Sequence, residues 1–209
     1  MFKHQLFLTL LLVISNLTQK ISCHIKACEA ITDESLSPDD PNSYSRPDLT
    51  KTTHLHLNLN VDFNEKVLEG YVILSLEKID GKAESVILDT KDLTILRVGL
   101  ENATEDLEYK LGKSSKFGEK LEVKLPDNIE NKFNIRIDYK TSPKSSGLQW
   151  LNPEQTSGKD SPFMFSQNWP IHGRSMLPCQ DTPSVKTPYT ASITAPDDLT
   201  IRAVHFVRH

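Results

Sequence analysis

Residues 53–61 read THLHLNLNV, a run in which polar and apolar side chains alternate from His54 to Val61. In an extended chain the leucines fall on one side and the histidines and asparagines on the other, which predicts a strand with one buried face. Residues 70–76, GYVILSL, repeat the same period after the polar residues 64–66. Two alternating segments joined by a short polar turn predict a β-hairpin.

The same alternation recurs along the rest of the chain. It is found at residues 85–88, 93–100, 121–125, 133–139 and 189–195. Long segments with a helical period are missing from this part of the sequence. Several short strands separated by turns predict an all-β domain of antiparallel, layered sheets.

The N-terminus has the pattern of a secretory signal peptide. Lys3 precedes an apolar run over residues 6–14, which is too short to span a bilayer. A buried N-terminal helix is the alternative interpretation. A small residue suited to cleavage occurs at Ser15, Cys23 and Ala27. We take residues 1–23 as the leader and expect a secreted protein with no membrane association after cleavage.

Composition divides the remaining chain into three parts. Residues 24–48 are rich in Asp, Ser and Pro and poor in apolar side chains, which predicts a disordered linker. Residues 49–199 hold the alternating strands and form the expected domain. Residues 200–209 form a divergent tail.

Charge and cysteine content exclude two classes of protein. The chain is 37% hydrophobic and 25% charged with a net charge of −4, and its basic residues form no aromatic-interleaved stripe, which argues against a nucleic-acid partner. The three cysteines, Cys23, Cys28 and Cys179, cannot all pair within one chain. Cys23 and Cys28 could close a small loop if cleavage spares both. An apolar core, not a disulfide framework, must therefore hold the domain.

The alternation breaks between residues 141 and 188. This segment is rich in Pro, Ser, Gln and Gly and contains both tryptophans, Trp150 and Trp169. Long irregular segments of compact domains are typically functional loops or docking surfaces. Any function of this chain is therefore expected here.

Five motifs carry a resemblance to a known family. They are THLHL at 53–57, VILDTKDLTI at 86–95, TSPKSSGLQWLNPEQTSGK at 141–159, FSQ at 165–167 and LPCQDTPSVK at 177–186. Together they resemble the N-terminal domain of leukotriene A4 hydrolase-type zinc aminopeptidases, over about residues 49–199. The core pattern Pro-Cys-x-Asp-x-Pro is shared more widely among zinc aminopeptidases.

The resemblance implies a saddle-like arrangement of β-sheets that packs on a separate zinc-binding catalytic domain, and a sheet that is incomplete at the C-terminal end of this chain. It implies release of N-terminal residues from peptides and, in the hydrolase branch, opening of a fatty-acid epoxide. Peptide substrate is expected only if this domain is joined to a catalytic domain. The cofactor implied for the family is zinc, with none expected in this chain.

The resemblance also assigns substrate-binding positions. Gln167 matches the glutamine that helps to bind the amino end of the substrate, since an amide oxygen accepts from ammonium without adding a charge. Trp169 stands where the family has Gln or Glu. Indole offers a π face but has no oxygen acceptor, so recognition of the substrate amine is expected to be weakened.

Four other residues receive roles that are not catalytic. Arg174 and Asp181 are interpreted as a charged pair that fixes the course of the loop. Cys179 lies among apolar neighbours and is interpreted as a buried, inert thiol. Asn102 begins the sequon Asn-Ala-Thr and is a predicted glycosylation site if the chain is secreted.

The histidines do not make a convincing metal site. His205 and His209 have the i, i+4 spacing of zinc ligands, but a phenylalanine replaces the expected Glu and no third ligand follows. His54 and His56 share one strand face, which is better explained as a polar outer surface. We therefore predict no catalytic and no metal-binding residue in this chain.

Three functional hypotheses follow. The first is the N-terminal β-domain of a secreted zinc aminopeptidase, inactive alone because this chain lacks the zinc domain; the divergent tail is what an intron read-through would give. The second is a free-standing secreted binding or decoy module derived from that domain. The third is a truncated, non-functional product with exposed sheet edges that promote aggregation.

Overall fold

The computed structural model describes residues 35–196 and 199–201. Within them the chain forms ten strands: β1 (Thr50–Asp62), β2 (Val67–Lys78), β3 (Ser85–Thr90), β4 (Thr94–Leu100), β5 (Tyr109–Leu111), β6 (Glu119–Lys124), β7 (Lys132–Lys140), β8 (Leu148–Leu151), β9 (Phe163–Ser166) and β10 (Tyr189–Thr194). Two short 3₁₀ helices cover Pro153–Gln155 and Gly173–Ser175. The predicted leader and residues 202–209 of the predicted tail lie outside the described residues.

The strands form three sheets, and the all-β prediction is confirmed. The largest sheet has the order β10-β1-β2-β7-β4, the second has the order β3-β6-β5, and β8 pairs with β9. Paired strands are antiparallel except for β10, which runs parallel to β1. A parallel neighbour needs a long connection, and the irregular segment before β10 provides it.

The predicted β1–β2 hairpin is present, with one irregularity that the alternation did not reveal. Leu57 lies opposite Val72, as expected for two strands that bury the same face. Thr53 is an extra residue in β1, because Thr52 pairs with Leu76 and His54 pairs with the preceding residue of β2. Such a bulge shifts the side-chain parity, so Thr52 is buried on the strand that also buries Leu57.

The apolar core lies between the five-stranded and three-stranded sheets. Side chains from both sheets enter one cluster, and its completely buried members are Leu59, Val72, Leu74, Val86, Leu121, Val123, Ile137 and Tyr139. The period-two pattern puts these residues on facing surfaces, which is how layered sheets exclude water. Within the described part of the chain, no helix is long and apolar enough to cross a bilayer.

The predicted linker extends too far into the domain. Ser43, Tyr44 and Ser45 are almost completely buried, although residues 24–48 were expected to be disordered. The prediction is wrong for this part because the two serines are buried through hydrogen bonds, which a composition poor in apolar side chains does not reveal. The Ser43 hydroxyl donates to Asp89 at 2.6 Å, and the Tyr44 backbone N–H donates to the same carboxylate at 2.7 Å.

Candidate functional site

Arg174 is the centre of a buried polar cluster in the irregular segment 141–188, and it is fully buried. Its Nε donates to Asp181 Oδ2 at 3.0 Å, and its Nη2 donates to the Asp181 carbonyl oxygen at 3.0 Å. Its Nη1 donates to the carbonyl oxygens of Asn42, at 2.8 Å, and Phe117, at 2.7 Å. A planar guanidinium directs several donors at once. Arg174 therefore connects its own loop to the segment before β1 and to the turn before β6.

Asp89 completes this group, which we call the Arg174 cluster: Arg174, Asp181, Asp89 and Ser43. The Asp89 carboxylate is fully buried, lies 3.6 Å from Arg174 Nη1, and accepts the Asp181 backbone N–H at 3.1 Å. Burial raises the pKa of Asp89, and the nearby Arg174 charge and the hydrogen bond from Ser43 oppose that rise. The predicted strand over residues 85–88 leaves Asp89 in the turn expected before the next strand at 93–100; Asp89 is instead the penultimate residue of β3.

The next residues of the motif attach the loop to the sheets through paired hydrogen bonds. Gln180 is buried, with its Oε1 accepting the Thr52 N–H at 2.9 Å and its Nε2 donating to the Thr50 carbonyl at 2.7 Å. Cys179 exchanges backbone hydrogen bonds with Asp89 at 2.8 and 3.2 Å. Burial raises the pKa of the Cys179 thiol, which agrees with an inert side chain.

The loop after β9 presents the two residues assigned to substrate binding. Gln167 is exposed, and its backbone N–H donates to the Gly147 carbonyl at 2.9 Å. Trp169 is 81% exposed. His172 closes the loop, with its backbone N–H donating to the Asn168 carbonyl at 2.9 Å. The backbone is thus fixed while both side chains face solvent.

Gly147 allows this loop to approach β8 closely. A Cβ atom at this position would lie 2.5 Å from Asn168 Oδ1 and 2.7 Å from the His172 carbonyl oxygen. Neither distance is possible for a real side chain, so only glycine fits. The Gly147 N–H also donates to Ser175 Oγ at 2.8 Å. The loop is therefore held from β8 and from the second 3₁₀ helix.

The outer face of β9 carries two exposed aromatic rings, which we call the β9 aromatic pair. Phe163 is 52% exposed and Phe165 is 41% exposed, and their ring centroids lie 6.0 Å apart. Met164, between them, packs against the core. Exposed phenylalanines side by side on one strand are unusual on a solvated surface. The sequence does not predict this pair, because FMFS is not a strictly alternating run.

The predicted absence of a zinc site can be examined only within residues 35–196 and 199–201. There, no three His, Cys, Asp or Glu side chains converge as metal ligands. His54 and His56 lie in β1, and His56 Nδ1 is 2.9 Å from Thr190 Oγ1 of β10. His205 and His209 lie outside the described residues. The side chains that are described do not fit a catalytic zinc.

A family model for the peptidase M1 N-terminal domain matches residues 40–204. The chain belongs to this family. The match begins before residue 49, in agreement with the burial of Ser43, Tyr44 and Ser45.

Relatives place this M1 N-terminal domain within longer proteins. It is 42% identical over 163 residues to leukotriene A-4 hydrolase of Xenopus laevis, covering 77% of this chain and 26% of that protein. It is 40% identical over 160 residues to leucine aminopeptidase 2 of Neurospora crassa, covering 75% of this chain and 24% of that protein. The chain spans about a quarter of the length of these curated relatives.

Solved structures confirm the fold. A structure of native yeast LTA4 hydrolase superposes with a TM-score of 0.70 at 34% identity, covering 75% of this chain and 25% of that one. An M1 zinc metallopeptidase from Deinococcus radiodurans gives a TM-score of 0.54 at 20% identity, covering 74% of this chain and 34% of that one, a likeness of fold alone. Both are chains several times longer than the matched part.

The structure brings some predicted site residues together and leaves others apart. Arg174 and Asp181 form the expected ion pair, at 3.0 Å. Gln167 and Trp169 share one loop with exposed side chains, whereas Asn102 lies in the turn after β4. Asp89 was not assigned a role from the sequence. The one available signal was a lone acidic residue at the end of an apolar strand, where a charge needs a partner.

Proposed function

We propose that this M1 N-terminal domain is part of a secreted zinc aminopeptidase of the leukotriene A4 hydrolase type, which releases N-terminal residues from peptides. Three features support the proposal: the family match, the identity to a leukotriene A-4 hydrolase and leucine aminopeptidases, and the leader-like N-terminus. No three potential metal ligands converge among the described residues, so the zinc and its ligands would come from a separate catalytic domain.

The observation that carries this proposal is an exposed aromatic surface next to an immobilised loop. The β9 aromatic pair and Trp169 expose large apolar rings within seven residues of one another in sequence. Neighbouring apolar side chains of this size mark a surface that another protein surface covers. The occupant we infer is a zinc-binding catalytic domain, because the matched relatives are about four times as long as this domain.

Docking there would place the loop at the edge of a substrate cleft. The exposed Gln167 amide oxygen would accept a hydrogen bond from the substrate ammonium group. The Trp169 ring would lie against the same group through a cation–π contact, which is weaker than an acceptor oxygen in direct contact. Gly147 and Ser175 hold the loop backbone, so the geometry needs no ordering on binding.

The test has two steps: sequencing of the transcript and an activity assay of the encoded protein. Long-read sequencing of mature transcripts should find residues 40–204 joined in frame to a downstream His-Glu-x-x-His segment. The encoded protein should then release amino acids from aminoacyl anilides, and a chelator should abolish this activity. A single transcript with a stop codon after His209, and no zinc-domain exons downstream, would refute the proposal.

A second function is favoured by one residue. Trp169 stands where the family resemblance places a Gln or Glu whose oxygen contacts the substrate amine. The loss of that oxygen is expected in a domain that no longer takes part in catalysis. Such a domain would be a free-standing secreted binding module. It predicts a folded monomer that needs no zinc, measured by size-exclusion chromatography and thermal unfolding with and without chelator. Chelator-sensitive aminopeptidase activity of the purified 209-residue chain would rule it out.

A further inference from the structure

The turn after β4 contains the sequon Asn102-Ala103-Thr104. The sequence has two Asn-x-Ser/Thr sequons, at Asn16 and Asn102, and Asn16 lies in the predicted leader, outside the described residues. Asn102 is followed by Ala103 and Thr104, with no proline to block recognition. We propose that Asn102 is glycosylated in the mature protein. This inference rests on the secretion part of the proposed function.

The turn exposes both side chains that the modification requires. It begins where β4 ends, and the Ala103 N–H donates to the Leu100 carbonyl at 3.1 Å. Asn102 and Thr104 are both exposed. A glycan on an exposed asparagine displaces water and no protein atom, so the folded domain tolerates it. The same sequon on a buried strand would prevent folding.

Arg97 holds this loop in place without using either sequon side chain. Its Nη2 donates to the carbonyl oxygens of Ala103 and Thr104, both at 3.3 Å. Its Nε donates to Asp106 Oδ1 at 2.6 Å. These contacts involve backbone oxygens and a carboxylate. The Asn102 amide and the Thr104 hydroxyl are therefore not needed for the course of the chain.

The surroundings leave room for a sugar. Asn102 lines an open groove of about 820 Å³, whose walls include Leu76 of β2, Phe133 of β7 and Asn128 of the preceding turn. The residues that line this groove do not include the β9 aromatic pair or the loop with Trp169. A glycan at Asn102 would cover this groove and leave the proposed docking surface free.

The modification is a group transfer from a lipid pyrophosphate-linked oligosaccharide. The amide nitrogen of Asn102 forms a bond to C1 of the first sugar and loses one proton. The bond from C1 to the pyrophosphate oxygen breaks, and the lipid pyrophosphate leaves with the bonding electrons. The Thr104 hydroxyl is the recognition element, which is why the second position after the asparagine must be Ser or Thr.

The experiment expresses the whole chain in secretory eukaryotic cells in two forms. One keeps its own residues 1–23, and the other carries a leader of known cleavage in their place. Lysate and medium are denatured, treated with a peptide N-glycosidase and compared by gel mobility and by mass spectrometry of the Asn102 peptide. Reading denatured samples removes any dependence on folding. Thr104→Ala is the test variant, and Thr104→Ser is the matched control that keeps the sequon.

We expect one glycosidase-sensitive step in mobility for the parent and Thr104→Ser, and none for Thr104→Ala. Recovery of the Asn102 peptide as unmodified asparagine in the form with the substituted leader would overturn the site. If that form is glycosylated while the form with residues 1–23 stays unmodified inside the cell, the glycan site stands and the proposed secretion fails. If the chain is secreted without modification, the proposed secretion stands and the glycan site fails.

Discussion

The sheet core and the Arg174 cluster are two parts of one domain, and different interactions stabilise them. The core side chains are apolar and pack between two sheets, where stability comes from area removed from water. Arg174, Asp89 and Ser43 of the Arg174 cluster are just as buried, but the cluster is charged, and it is stable only while every donor and acceptor keeps its partner. The core is therefore expected to tolerate change gradually, whereas the cluster is expected to fail when one member is removed.

Replacement of Arg174 is expected to have the largest effect. Arg174→Met keeps the length of the side chain but leaves Asp89 and the Asp181 contact without a counter-charge. Removing one partner from a buried ion pair typically costs about 3–5 kcal/mol. Urea unfolding followed by circular dichroism measures the free energy of unfolding directly.

The control is Arg136→Met, because Arg136 pairs with Asp138 at 2.6 Å on a side chain that is 35% exposed. Exposed ion pairs contribute about 0–1 kcal/mol. Equal losses for Arg174→Met and Arg136→Met would mean that burial of the cluster does not matter, and the comparison would fail.

Truncation of a core side chain is expected to have the second largest effect on stability. Leu74→Ala removes apolar atoms from a completely buried side chain and leaves a cavity, at a cost of about 2–5 kcal/mol. Leu96→Ala is the matched control, since Leu96 is 55% exposed and should change stability by about 0.5 kcal/mol or less. A small loss at Leu74 would indicate that the two sheets are not in close contact. Thermal and urea unfolding of both variants supply the values.

Loss of the Gln180 amide is expected to have an intermediate effect. Gln180→Ala removes both hydrogen bonds to β1 and leaves the Thr52 N–H and the Thr50 carbonyl buried without partners. Each unsatisfied buried group costs about 1–3 kcal/mol before water enters the site. Gln149→Ala, at an exposed position of β8, is the control and should be neutral. Equal unfolding midpoints for both variants would contradict the proposed attachment of the loop.

Trp169→Gln is expected to have the smallest effect on stability. The ring is 81% exposed, so its replacement should change the free energy of unfolding by about 0.5 kcal/mol or less. If the domain is joined to a zinc catalytic domain, the same change restores an acceptor for the substrate amine and should lower KM for peptides. A large loss of stability would show that Trp169 packs within this domain. Unfolding curves and peptide kinetics together separate these outcomes.

The sequence predicted the apolar sheet core better than it predicted the Arg174 cluster. The alternation over residues 53–61 and 70–76 correctly predicted the β1–β2 hairpin, because period-two burial depends on local pattern alone. The bulge at Thr53 and the parallel pairing of β10 with β1 escaped prediction. Both features depend on which strands lie next to each other in the folded domain. The local sequence pattern does not contain that information.

The contacts of the Arg174 cluster were predicted where the charged residues lie close in sequence and were missed where they do not. Arg174 and Asp181 were paired from the motif, and they are in contact. Asp89 and Ser43, far away in sequence, were assigned to a turn and a linker because Ser and Asp favour both. Ser43 contacts Asp89, and Asp89 faces Arg174, so each has a partner that lies far away in sequence and no local window contains it.

Hydrogen–deuterium exchange of the Arg174→Lys variant tests the central claim, that the cluster and the core are separately held, most directly. Lysine keeps the charge but cannot reproduce the contacts of the guanidinium fork. The backbone N–H groups of Tyr44, Arg174 and Asp181, which donate into the cluster, should exchange faster. Those of Val72 and Ile137 in the core should be accelerated less, and by no more than the loss of global stability accounts for. Equal acceleration in both regions, or none in either, would contradict the claim.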